Sequence, residues 1–500
     1  MSPALLFSFV VAYFLALLAV AYVTSRHSNN DSFFIGNRNS NWMLVAFGMV
    51  GTSLSGVTFI SVPGAVGVTA FTYFQIVLGQ VLGYAVIAFV LLPLYYRLNV
   101  TSIYHFLDVR LGRHAYQTGA AFFILSRTLG ATARLYLVVK ILQDAILDGM
   151  QVPFWLTALV IMVMILAYTF EGGVKTIVWT DTLQTTCMLL GLAICVVYLL
   201  TGLDISFADS LSQMDARGLS TIFVTDLDSR QFWLKQILAG MFIAIAMTGM
   251  DQEMMQKNIS VKTLGGSQKN VLALSMIMLA VVLLFLYLGG LLYLYAAASG
   301  IAATGDKIFP AVALGYLPDW VQVIFIIALI SALFPSADGA ITALTSSVCI
   351  DMLGMQRRED INEKQKKRLR QRVHLTIAAL FMLLIMAFKW ADNPSMIGLI
   401  LTLASYTYGP LLGLFAFGIF TRRVLEGRSV AAVAIAAPLI CLGLDTWQAE
   451  LFGNYRIGLE LLIINGAITF AGLWLISRPV SRARKAGTEA AAQSSRSELL

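Results

Sequence analysis

The chain has 500 residues, of which 58% are hydrophobic and only 12% charged, and its mean hydropathy is +0.80. A soluble chain of this size carries about 25% charged residues, so the composition argues against a water-soluble globular enzyme. The net charge of +7 would suit a nucleic-acid partner only if the basic residues formed a domain facing water.

The four cysteines, Cys187, Cys195, Cys349 and Cys441, each lie in an apolar run without a CxxC pair. Neither a disulfide framework nor a zinc site is written in that pattern. HExxH and G-x-x-x-x-G-K-[ST] are also absent, which speaks against a metalloprotease or an ATP-driven pump on this chain.

A bilayer core about 30 Å thick takes roughly 20 apolar residues per helix. That ruler predicts thirteen spans, near 3–24, 43–68, 72–96, 116–147, 153–170, 174–201, 232–254, 269–298, 320–352, 372–391, 395–420, 429–447 and 459–477, numbered here span 1 to span 13. Span 1 has no basic residue before it and an apolar stretch too long for a signal peptide, so it reads as a retained helix with the N-terminus outside.

With the 25–42 loop and every second loop after it assigned to the cytoplasm, the cytoplasmic loops, the span ends beside them and the tail hold 25 of the 34 Lys and Arg. The outer loops hold four, Arg217, Arg230, Lys307 and Arg456, and the other five lie deeper within spans. This is a positive-inside signal, and it assigns the excess charge to topology instead of nucleic acid. The basic run from Arg357 to Arg372 reads as an anchor beside anionic membrane lipid. Residues 1–480 form one transmembrane domain in this reading. Residues 481–500, rich in Ala, Ser, Lys and Arg without apolar periodicity, read as a disordered cytoplasmic tail. The expected location is a bacterial inner membrane or a plasma membrane.

Ionisable side chains in hydrocarbon cost about 2.5–3.5 kcal/mol on insertion scales, and each is a functional hypothesis. Span 2 brackets hydroxyls between glycines, Gly51-Thr52-Ser53-Leu54-Ser55-Gly56-Val57-Thr58, ahead of Pro63-Gly64. An unwound helix needs such a stretch, because it frees carbonyls for a cation and places short polar groups at a solute; close helix packing on small residues is the plainer alternative. Asp181 lies about two turns inside span 6. In span 9, Asp338, Thr342 and Thr345 share one helix face, and Pro335 is expected to loosen the backbone ahead of them. Span 4 carries Arg127 and Arg134, seven apart; a guanidinium facing a cavity suits a carboxylate. Gln75 and Gln80 of span 3 are candidates for the same pocket.

Three runs in order carry a resemblance to the sodium:solute symporter family: Gly172 to Gln184, the Asp251-Gln252-Glu253-Met254-Met255-Gln256-Lys257 run after span 7, and Ser336 to Asp351. The resemblance implies an all-α membrane protein of LeuT-like architecture, with two inverted five-helix repeats, spans 2–6 (about 43–201) and 7–11 (about 232–420), plus peripheral helices. It implies a sodium site of span 2 carbonyls at Gly51 and Leu54 with a span 9 carbonyl and two hydroxyls at the positions of Ala332, Pro335 and Ser336. Pro335 departs from the usual Ser or Thr. Some members have a second cation site that falls on Asp181 and Asp338, where a sodium ion or a protonated Asp338 are both open. In the sialic-acid branch, hydroxyls matching Ser55 and Thr58 and an arginine on the equivalent of span 4 contact the solute; Ser53 is taken with them as a solute-binding candidate.

The expected function is therefore sodium-coupled import of a small organic solute, a carboxylate first and a neutral sugar or amino acid second. A tenfold sodium gradient supplies about 1.4 kcal/mol, and each charge crossing 100 mV about 2.3 kcal/mol. Two sodium ions with a monoanion thus gain about 5 kcal/mol, which makes an anionic solute and a second cation site mutually supporting. A channel would need a continuous polar lining, and a membrane enzyme a nucleophile with its base; neither pattern is present.

Overall fold

The computed structural model describes residues 3–25, 38–358, 360, 362–391, 396–425 and 427–479. The expected tail at 481–500 lies outside them. All thirteen predicted spans fall on helices, since hydrocarbon offers no partner for a backbone N–H or C=O and only a helix pairs them within one segment. Among the described residues, nine helices are long and apolar enough to cross a membrane, and two bent pairs raise this to eleven. The remaining two predicted spans, 5 and 13, are shorter apolar helices, Phe154–Ala167 and Leu461–Ile476. The protein is a multi-pass, all-α membrane protein, and length and hydropathy by themselves support nine to eleven of the thirteen expected crossings.

Burial separates the centre from the periphery. In spans 2 and 9, 78% of the most apolar window is buried, against 28% in spans 1 and 10 and 22% in span 12. Spans 2 (Trp42–Thr69) and 9 (Asp319–Ser347) therefore form the core, around which Phe59, Phe285, Phe309 and Phe325 pack ring against ring.

Spans 5 and 6 are the apolar helical segments Phe154–Ala167 and Thr176–Leu203, and their partners on span 9 show that they run antiparallel. Trp320 meets Tyr198 edge-on, Ala328 packs against Gly191, and Pro335 lies beside Thr185 near Gly51, so span 6 numbers fall as span 9 numbers rise. Along span 5 they rise together: Ile330 and Leu333 share an apolar cavity with Val160 and Ile161, and Thr169 and Thr345 meet opposite nitrogens of His374.

Both five-span units open with a broken helix. In span 2 the break is Ser55, at φ 46° and ψ 165°, a region that costs a non-glycine residue about 1–3 kcal/mol and persists only where its surroundings impose it. In span 7 the helix Trp233–Ala244 ends in a π-turn, Ile245–Gly249, and a second helix, Gln252–Ile259, leaves at 66°. Asp251 caps that second helix: its Oδ1 accepts from the amides of Glu253 (2.9 Å) and Met254 (3.2 Å). Span 11 bends by 43° where Met396–Thr407 gives way to Gly409–Phe420, with Pro410 in the first turn of the new helix, where its missing N–H costs nothing. Span 9 stays helical straight through Pro335. The loosening expected there is found across the interface, at Ser55.

Candidate solute and cation site

The break at Ser55 faces a cavity of about 100 Å³ between spans 2, 3, 4, 7, 8 and 11. Span 2 contributes Thr52, Ser53, Ser55 and Thr58, span 3 Tyr73, Gln80 and Tyr84, and span 4 both arginines. Met247, Met278 and Ile400 close the apolar side. A few polar groups on an otherwise apolar wall are the usual make-up of a small-molecule site, where the former set orientation.

The two arginines differ sharply. The Arg127 guanidinium is buried and donates from Nη2 to Glu253 Oε2, while its Nη1 lies 3.9 Å from Asp251 Oδ2. Arg134, two turns further along span 4, lines the same cavity half-buried. It has no hydrogen-bond or ion-pair partner among the described residues.

Behind Arg127 the charges continue in a ladder. Tyr408 donates to Asp251 Oδ2 at 2.8 Å, and Glu253 Oε1 lies 3.8 Å from Lys257 Nζ, one turn on in the same short helix. Lys257 Nζ in turn donates to Asp181 Oδ2 and to Thr52 Oγ1, each at 2.7 Å. Thr52 also donates to Asp181 Oδ2 at 3.1 Å. All these ionisable side chains are buried. Charges taken out of water survive only when paired and hydrogen-bonded, and the break in span 7 brings Glu253 and Lys257 inward to satisfy that demand.

Next to the ladder, span 2 touches spans 6 and 9 through its glycines. A methyl group at Gly51 would collide with the Thr185 hydroxyl and touch Pro335 Cγ at 3.5 Å, and one at Gly48 would lie 3.1 Å from Asp181 Cβ. Leu54 immediately precedes the break at Ser55. Ala332, Pro335 and Ser336 are buried on the facing helix, and the Ser336 hydroxyl donates to Leu333 O at 2.8 Å. The Thr185 hydroxyl is buried and has no hydrogen-bond partner among the described residues. A second, wider cavity of about 950 Å³ lies at the C-terminal ends of spans 2 and 4, lined by Thr69, Lys140, Asp144 and Asp306 among others. There Asp306 accepts from the Met396 amide at 3.3 Å, and burial raises its carboxyl above the ordinary range.

The model of the sodium:solute symporter family matches residues 33–434. The chain belongs to the sodium:solute symporter family. Among curated relatives, the symporter is 21% identical over 496 residues to the sodium/sialic acid symporter SiaT of Proteus mirabilis, covering 93% of this chain and 94% of that one. It is 23% identical over 477 residues to the sodium/sialic acid symporter NanT of Aliivibrio fischeri, covering 92% and 91%. Among solved structures, a substrate-bound, outward-open Na+-coupled sialic acid symporter superposes with a TM-score of 0.79 at 18% identity, over 95% of this chain and 99% of that one. The symporter thus has the LeuT-like fold and is a sodium-coupled transporter, not an enzyme.

Of the solute-binding residues expected from sequence, the symporter brings Ser53, Ser55, Thr58, Gln80, Arg127 and Arg134 to one cavity. Gln75 is a correction: it is fully buried, and its amide donates to Thr72 O and Gln231 O, both at 3.2 Å, so it ties the start of span 3 to the loop before span 7 instead of lining the pocket. Asp181 and Asp338 are both buried; Asp181 holds the Lys257 ammonium, and Asp338 Oδ1 accepts from the Gly339 amide. Lys257, counted among the cytoplasmic loop residues by sequence, is a second correction: it is 3% exposed, within the bundle. Sequence reasoning missed Glu253, Lys257, Thr52 and Thr185 as site residues. Glu253 and Lys257 at i,i+4 after an Asp cap carried a signal, since that spacing places both on one helix face.

Proposed function

We propose that the symporter imports a small organic carboxylate together with sodium, by alternating access around the cavity at Ser55. The observation that carries this reading is Arg134: a guanidinium on the cavity wall, without a hydrogen-bond or ion-pair partner among the described residues, in the same cavity as the hydroxyls of Ser53, Ser55 and Thr58. A carboxylate would receive charge-assisted, bidentate hydrogen bonds from it, and the hydroxyls would meet the remaining polar groups of the solute. The names of the sialic acid relatives agree with an acidic solute.

Sodium, as co-substrate, would bind between the carbonyls of Gly51, Leu54 and Ala332 and the Ser336 hydroxyl. Hard cations take such oxygen ligands, and the hydroxyl that Pro335 lacks would come from Thr185, beside Gly51. Sodium bound there joins spans 2 and 9, so it favours the state in which these spans are together; that differential affinity is the coupling. In this reading the N-terminus and the wide cavity at Thr69 and Asp306 face outside, and the basic loops face the cytoplasm of a bacterial inner membrane or plasma membrane, in contact with its lipid.

The test is uptake into proteoliposomes of labelled sialic acid, a short monocarboxylate, a neutral sugar and a neutral amino acid, driven by a sodium gradient and then with potassium replacing sodium. Sodium-dependent accumulation of a carboxylate supports the reading. Accumulation of the neutral solutes only would return Arg134 to a structural role.

A further inference from the structure

Lys257 stands where the second cation of the scheme was expected. Its ammonium is 2.7 Å from both Asp181 Oδ2 and Thr52 Oγ1, which leaves Asp181 Oδ1 as the carboxylate oxygen without a hydrogen-bond partner among the described residues. The placement is built by several elements. Asp251 caps the Gln252–Ile259 helix, whose 66° turn from the first half of span 7 carries Lys257 into the bundle. Gly48 lets span 2 approach Asp181 to within contact of its Cβ. Lys257 and Asp181 are 3% and 0% exposed, so water does not screen them from each other.

We infer that Lys257 is a tethered cation that fills the second cation site, and that the symporter therefore binds a single sodium ion per cycle. This rests on the sodium-coupled reading above and specifies its stoichiometry. The ammonium already neutralises the single Asp181 charge, so a free sodium ion at that carboxylate would meet an uncompensated like charge in a site closed to water, while the tethered group carries no translational entropy cost. The remaining site, at Gly51, Leu54 and Thr185, lies about one helical turn beyond Asp181 along span 6, and among the described residues none of its members is hydrogen-bonded to Lys257. One sodium with one monocarboxylate moves no net charge, so the carboxylate reading acquires a second consequence: import driven by the sodium gradient and indifferent to membrane potential.

The test needs no knowledge of the solute. Equilibrium binding of ²²Na+ to the purified full chain in lipid nanodiscs is counted per polypeptide for the wild type and for Lys257→Ala, Lys257→Arg and Lys257→Ala with Asp181→Asn. The inference expects one ion in the wild type, two in Lys257→Ala, one in Lys257→Arg, and a return to one in the double variant. Two ions in the wild type overturn it, as does a single ion in Lys257→Ala that still shows a cooperative thermal transition. If Lys257→Ala does not fold, the wild-type and Lys257→Arg counts still decide. No saturable sodium binding in the wild type would instead overturn the sodium-coupled reading on which the inference rests.

Discussion

Arg127 of span 4 donates to the Glu253 carboxylate of span 7, whereas Arg134, seven residues later on the same helix, faces the same cavity without a hydrogen-bond partner among the described residues. One arginine is committed to the protein and the other is available to a solute. Hydrogen bonds to charged groups contribute about 1.5–3 kcal/mol. Arg134→Gln is expected to raise KM for a carboxylate roughly tenfold to a hundredfold by that figure, with the thermal transition unchanged. Uptake kinetics beside a melting curve check both halves.

Arg127→Met should behave in the opposite way. Removing one partner of a buried ion pair leaves the other charge uncompensated, at a cost of about 3–5 kcal/mol. A large drop in melting temperature is expected, and Arg127→Met combined with Glu253→Leu should recover a substantial part of it, because a well-packed apolar pair replaces a buried ionic one at little net cost. A melt of the double variant no higher than the single would refute the pairing as the source of the loss.

Ser55 combines a backbone role and a side-chain role that substitution can separate. At φ 46° glycine is at ease and a β-branched residue is not. Ser55→Gly should keep the apparent sodium affinity within about threefold while raising KM for the solute, since only the hydroxyl is lost; one hydrogen bond of about 1 kcal/mol predicts a change of roughly fivefold. Ser55→Val should lower stability and sodium affinity together. Sodium titrations of uptake distinguish the two.

Thr185 is expected to act on sodium and not on the solute. Thr185→Val removes the hydroxyl beside Gly51 at nearly constant volume, and loss of one oxygen ligand worth about 1.4 kcal/mol weakens the apparent sodium affinity about tenfold. Gly51→Ala, whose methyl group would collide with that hydroxyl, should weaken it further. Unchanged sodium dependence in Thr185→Val would remove this residue from the site.

The two glutamines of span 3 give a contrast within one helix. Gln80 lines the cavity, and Gln75 hydrogen-bonds to Thr72 O and Gln231 O. Gln80→Ala should raise KM severalfold without affecting the melt. Gln75→Ala should leave KM within twofold and cost about 1–2 kcal/mol of stability, the loss of two buried hydrogen bonds.

The sequence by itself determined that this is a helical membrane protein, and where its helices lie, because the length of a hydrocarbon crossing is read directly from the length of an apolar run. It also marked span 2 as the span to break, through Gly51, Ser55 and Gly56, and named six of the residues that line the cavity. It placed Lys257 in a loop because the same ruler assumes a straight helix; the Asp251 cap marks a new helix start, but the 66° at which that helix leaves is set by what it packs against. Which charge meets which was decided only by tertiary structure. Asp181 and Lys257 are 76 positions apart and Arg127 and Glu253 are 126 apart; the energy of each pair depends on distance and local dielectric, and neither quantity is a property of a segment. Hydrophobic length is local and so survives in the sequence, whereas electrostatic partnership is set by the fold.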